Sequence, residues 1–172
     1  MPFMIGDKVV YPSQGPCLID AVITKTIAGD PSSFYRLSLL DDSRDAVLVP
    51  IEKLTALRLR HLLAKSEIPK LLGHLECAPL PSKNWRQRGI DNAKLLASGS
   101  AFDLAEIVES LTELGAAKAL LPRDRQTLEK ARKLLICEIS EVMDESRGMA
   151  EEQVDRALES KRTVLKNAAQ RA

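Results

Sequence analysis

Aromatic side chains are scarce in this chain. Three Phe, two Tyr and a single Trp make up 3% of 172 residues. The setting of that one tryptophan therefore carries weight. Cysteines are also few: Cys17, Cys77 and Cys137 are odd in number, far apart and without a CxxC pair. Only His74 lies near one of them, so neither a disulfide framework nor a zinc site is indicated, and reduced, mostly buried thiols are expected. No apolar run approaches the ~18 residues of a membrane span, and MPFMIGDKVVYP has no charged n-region followed by a long apolar h-region. A cytoplasmic protein that does not engage membrane is the expectation. The net charge of +1 despite 28% charged residues excludes a globally basic nucleic-acid binder, so any such contact must come from a local patch.

Catalytic signatures are missing as well. There is no GxxxxGK[ST], GxGxxG after a strand, HExxH or GxSxG. His61 and His74 both stand among leucines in what reads as helical pattern, a setting for packing or surface histidines. The pairs Asp41 with Asp42 and Glu151 with Glu152 read as a turn tip and a helix N-terminus, where carboxylates are favourable. The expectation is a non-enzymatic protein with no metal and no cofactor.

What is present divides into two periods. Up to about Leu54, short β-branched runs alternate with turn sequences: KVVY (8–11), CLIDAVITKTI (17–27), FYRLSLL (34–40) and AVLVPI (46–51), separated by PSQGP, AGDPSS and DDSRD. This predicts a small, bent antiparallel barrel of SH3 or Tudor type. After Leu54 the pattern turns helical: ALRLRHLLA (56–64), then SEIPKLLGHL (66–75), with Ser66 as a cap and Ile68, Leu71, Leu72 and Leu75 on one face. ECAPLPSKN (76–84), with two prolines and no period, reads as a hinge. Helices are expected over 85–98, 101–120 and 122–146. Leu104, Ile107, Val108, Leu111 and Leu114 form a buried stripe, and Pro122 stands in a first turn. The charged segment 150–172 carries Val154, Leu158 and Leu165 on one side; docking and fraying are equally open. The fold class is thus α+β, a β module followed by an all-α region.

The tryptophan, Trp85, sits in KNWRQR (83–88). Lys83, Arg86, Arg88 and Lys94 against Asp91 make this segment locally basic in a nearly neutral chain. A flat apolar ring flanked by phosphate-binding cations is the combination used to unstack base steps, which points to nucleic acid. Arg123, Arg125, Lys130, Arg132 and Lys133 form a second basic run, offset by Asp124 and Glu129. There a solvated helix face with pairs such as Glu129 with Lys133 explains the charges equally well.

FMIGDKVVYPSQGPCLIDAVITKTIAGD (3–30), FYRL, VLVPIEKL, NWRQR (84–88), KLLASGSAFDLAEIVESL (94–111) and LEKARKLLICEI (128–139) together resemble the CarD/CdnL family of bacterial transcription regulators. The resemblance runs in register from about residue 3 to about 145. GDKVVYP followed by QG is similar to the polymerase-interacting module shared with transcription-repair coupling factors. It implies a Tudor-like module over 1–65, a linking helix and proline hinge over 66–83, a helical DNA-binding domain over 84–147 and a charged helix or tail over 148–172. It further implies that the first module joins the RNA polymerase β subunit strand to strand, through Lys25, Thr26 and the Val47, Leu48, Val49 stretch. The helical domain would then place Trp85 in the promoter minor groove at the upstream edge of the melted bubble, steadied by Asn84 and Arg88, with Arg86, Lys94 and Arg125 as basic contacts. A monomer associated with the nucleoid through polymerase is implied too.

Some positions depart from the family pattern. Gln87 and Ile90 stand where many relatives are basic, which shifts phosphate anchoring toward Arg86 and Lys94. Arg58 stands where glycine is usual. Leu48 replaces an arginine of some relatives, so the partner surface there rests more on apolar contact. Two functions follow: an initiation factor that stabilises the open promoter complex, or an adaptor that binds protein only, with Trp85 as a packing residue at the hinge.

Overall fold

The computed structural model describes residues 2–76 and 84–171, with the side chains of 162–166 left aside. Most of the proline hinge, with Cys77 and Lys83, therefore lies outside the described residues. The chain divides into two compact units, Met1–Leu62 and Leu63–Ala172.

The first unit is one antiparallel sheet. Strands β1 (Lys8–Tyr11), β2 (Gly15–Ile27), β3 (Asp30–Leu39), β4 (Ala46–Pro50) and β5 (Arg60–His61) lie in the order β4-β3-β2-β1-β5. Val9 of β1 and Val49 of β4 share a single core with Cys17, Ile19, Tyr35 and Leu37. Two strands lie between them, so the sheet must curl to bring both inward. A bulge helps it bend: Ile19 pairs with Leu37 and Ala21 with Arg36, which leaves Asp20 as the extra residue. Its carboxylate accepts from Arg36 Nε at 2.6 Å and from the Ser38 hydroxyl. The hydrogen bond from Arg36 holds the Asp20 carboxyl below its usual range, outweighing partial desolvation, with Ser38 adding to the effect. The buried Tyr35 hydroxyl donates to the Phe3 carbonyl at 2.7 Å, pinning the N-terminal segment over the core.

The expected strands are all present, and β3 begins four residues earlier than its apolar run because Asp30–Ser33 pair with Thr24–Ile27. The hairpin turns at Ala28 and Gly29, both at positive φ (52° and 93°), as a two-residue turn between right-twisted strands requires. The segment 56–64 is not helical. Arg58, at φ 57°, turns the chain, and Arg60–His61 pair with β1. His61 accordingly lies on a strand, its ring edge-on to Phe3 at 4.8 Å. The leucine spacing there mimics a helix, but pairing with the free edge of β1 satisfies the backbone better than one isolated turn.

The second unit is helical: α1 (Ile68–His74), α2 (Trp85–Ser98), α3 (Ala101–Ala117), α4 (Pro122–Met143) and α5 (Arg147–Arg171). Ser66 is not a cap. It lies inside a short 3-10 turn, and the Glu67 carboxylate instead accepts the Ala64 N–H at 2.9 Å. The expected stripe of α3 is buried at Leu104, Ile107, Val108 and Leu111, with Leu114 at its margin. Ile68, Leu71 and Leu75 of α1 join the same core. So do Ala150, Val154, Ala157 and Leu158, which means that α5 docks through its first half. Two polar ties reinforce this: Arg132 of α4 binds Glu151 and Asp155 of α5 at 3.0 and 2.6 Å, and Lys161 pairs with the buried Glu109 of α3. Partial burial alone would lower the Arg132 pKa, but its two carboxylate partners raise it overall.

Candidate nucleic-acid and polymerase interfaces

Asn84 explains why α2 starts where it does. Its side-chain oxygen accepts the Arg86 N–H at 2.9 Å, an N-cap that places Trp85 at the first helical position. Trp85 is 48% exposed. Two guanidinium groups flank it, with the central carbons of Arg86 and Arg123 at 5.1 and 5.6 Å from the ring centroid. Such contacts are worth about 0.5–1 kcal/mol each at an exposed ring.

Arg88 differs from the expectation that it faces DNA. It is 4% exposed, and its Nη2 and Nε donate to one Asp124 oxygen at 2.7 and 3.2 Å. Asp124, in the first turn of α4, is itself buried. This pair joins α2 to the start of α4, so Arg88 supports the tryptophan from beneath. By helical rotation it projects inward together with Asn92 and Leu95, whereas Lys94, nine residues after Trp85, falls roughly 180° around the helix from it. Lys94 is exposed but not beside the ring.

Arg125 is exposed in the first turn of α4, close in sequence to Arg123. Arg123 was only one member of a basic run in the sequence, yet it is the residue that reaches the tryptophan. Its Nη2 donates to the Trp85 carbonyl at 2.9 Å. Room for it comes from Gly89, where a Cβ atom would fall within the Arg123 guanidinium. A glycine inside a helix costs about 0.8–1 kcal/mol relative to alanine, so WRQRGID held a visible clue to a close approach. Gln87 bonds Asp91 at 2.8 Å along α2, and Ile90 is exposed. Among the described residues, the cations on the ring are Arg86 and Arg123.

The candidate polymerase residues fall into two places in the first unit. Lys25 and Thr26 lie exposed near the β2–β3 hairpin tip. Leu48 is in register with Arg36 and Ala21, which puts it roughly 13 Å from Lys25 measured along the strands. Val49 opposes Tyr35 and Val47 opposes Leu37, so both point to the core, and Val49 is 1% exposed. Only Leu48 of the three turns outward, because side chains alternate along a strand. Val49 can offer a partner its backbone but not its side chain. In the described sheet β4 is an edge, paired to β3 alone.

Residues 3–62 match the CarD-like/TRCF RID domain family, and residues 71–158 match the C-terminal domain of CarD. The chain belongs to the CarD-like family of transcription regulators. It is also 29% identical over 157 residues to the Bacillus subtilis (strain 168) protein named "Putative transcription factor YdeB", covering 88% of this chain and 97% of that one. A role in transcription regulation follows from the family, and its first domain is of a kind that interacts with RNA polymerase. That domain is the Tudor-like sheet described above. Among the described residues no helix is long and apolar enough to cross a membrane.

Proposed function

We propose that this CarD-like protein is an initiation factor that lengthens the life of the open promoter complex, with Trp85 as a wedge at the upstream edge of the bubble. The observation that carries the proposal is the half-exposed indole at the head of α2 with two guanidinium groups on it. A tryptophan serving only as packing would be expected to lie mostly buried. Inserting a ring into closed duplex costs a few kcal/mol of unstacking. Where the strands have already parted, that cost largely disappears. Trp85 therefore favours the open complex, and each 1.4 kcal/mol of preference is about tenfold in occupancy.

Tethering is assigned to the first unit. The exposed edge of β4 suits an added strand from the polymerase β subunit, with Leu48 as its outward side chain. Arg86 and Arg125 are the candidate phosphate contacts beside the wedge, since Lys94 lies on the opposite side of α2. Two such contacts give a slope of about −2 for log affinity against log salt.

The test is the lifetime of polymerase open complexes after competitor challenge. Trp85→Ala is expected to shorten it severalfold while polymerase binding stays intact. An unchanged lifetime would remove the wedge role, and absence of any promoter-DNA contribution across a salt series would favour a protein-only adaptor.

A further inference from the structure

The guanidinium of Arg123 lies where a Cβ atom at Gly89 would fall. We infer that Arg123, seated over Gly89, is the positioning residue that sets the direction of the Trp85 indole; the consequence for transcription rests on the wedge reading above. Three observations meet at this point. The guanidinium of Arg123 donates to the Trp85 carbonyl at 2.9 Å, which fixes it to the first turn of α2. Its central carbon stands 5.6 Å from the indole centroid, so the same group also bears on the ring. A side chain of any size at position 89 would occupy the space of that guanidinium.

A planar fork can hold a carbonyl with one nitrogen and still present its face to a ring, which an ammonium on a flexible stem does not do at once. Arg123 enters from the first turn of α4, and the buried Arg88–Asp124 pair fixes that turn against α2. The arrangement is a chain of support: the ion pair places α4, α4 aims Arg123, and Arg123 holds the ring. Arg86 lies on the indole too, but from the adjacent position on the same helix. It therefore adds no tie to a second element.

The full-length chain offers a direct probe, because Trp85 is its sole tryptophan and fluorescence excited to the red of the absorption of its two tyrosines reports that ring alone. Arg123→Gln is expected to lower the fluorescence anisotropy and to raise acrylamide quenching, by at most about twofold since Trp85 is already 48% exposed. Gly89→Ala should do the same by displacing the guanidinium, without loss of thermal stability, since alanine is the better helix former. Arg123→Lys should fall between wild type and Arg123→Gln. In the open-complex assay, Arg123→Gln should reproduce at least half of the Trp85→Ala effect on a logarithmic scale.

Wild-type quenching and anisotropy in Arg123→Gln would overturn the inference. So would Arg123→Lys behaving as wild type in both fluorescence and lifetime, since charge alone would then suffice. Should Trp85→Ala leave the lifetime unchanged, the wedge reading fails, and the fluorescence of Arg123→Gln still decides whether Arg123 orders the ring.

Discussion

Replacing Arg88 by methionine should destabilise the helical unit by about 3–4 kcal/mol. Methionine keeps most of the apolar stem, so the loss is chiefly of the charge that faces Asp124. Both side chains are nearly inaccessible, at 4% and 3%. Breaking a buried ion pair from one side typically costs 3–5 kcal/mol, because the remaining charge is uncompensated. Asp124→Asn removes the carboxylate charge that faces Arg88 from the other side and should destabilise the unit as well. Replacing both residues by apolar ones, as in R88M with D124L, should recover much of the loss. Urea titrations followed by far-UV circular dichroism and by Trp85 fluorescence measure these differences. The reasoning is refuted if R88M unfolds at the wild-type midpoint, or if the double replacement is no more stable than R88M. A fall in promoter activity on substituting Arg88 would accordingly reflect disorder of α2 and α4 and not a lost phosphate contact.

Other outcomes follow from single positions. Ala28→Gly or Ala28→Asn should stabilise the first unit by roughly 0.5–1 kcal/mol, read by thermal melts, since Ala28 holds φ 52° without the tolerance those residues have for it. Asp20 is ionised more readily folded than unfolded, so near pH 4 the unfolded chain binds more protons and the stability it contributes is lost as pH falls through the folded-state titration. Asp20→Asn should flatten the acid limb of the stability profile in that window, and an unaltered limb would sink the assignment. Val154→Asp places a carboxylate at a fully buried site on α5, and should cost several kcal/mol and open the helical unit to limited proteolysis. Leu48→Glu, on the outward side of β4, should weaken polymerase binding with little change in stability, as measured by pull-down alongside a melt.

Local sequence fixed much of the architecture. KVVY, with apolar residues between turn signals, could only pair as a strand. Pro122 and the three-and-four spacing of Leu104 to Leu111 marked where a helix begins and which face is buried. These features depend on residues a few positions apart, and backbone geometry translates them directly. Tertiary structure decided the rest. The leucines of 56–64 carry a helical period, but β1 has a free edge nearby, and pairing with it wins. Val47 and Val49 look alike as contact candidates with Leu48 until the register with Tyr35 and Leu37 assigns them to the core. Arg88 reads as a phosphate contact in KNWRQR, and what removes it from solvent is an aspartate 36 residues away. Arg123 was one cation in a run until α4 laid it across Gly89 and onto Trp85. The charge of an arginine is written in the sequence. Whether that charge meets water, a carboxylate or an indole depends on which distant element is folded against it.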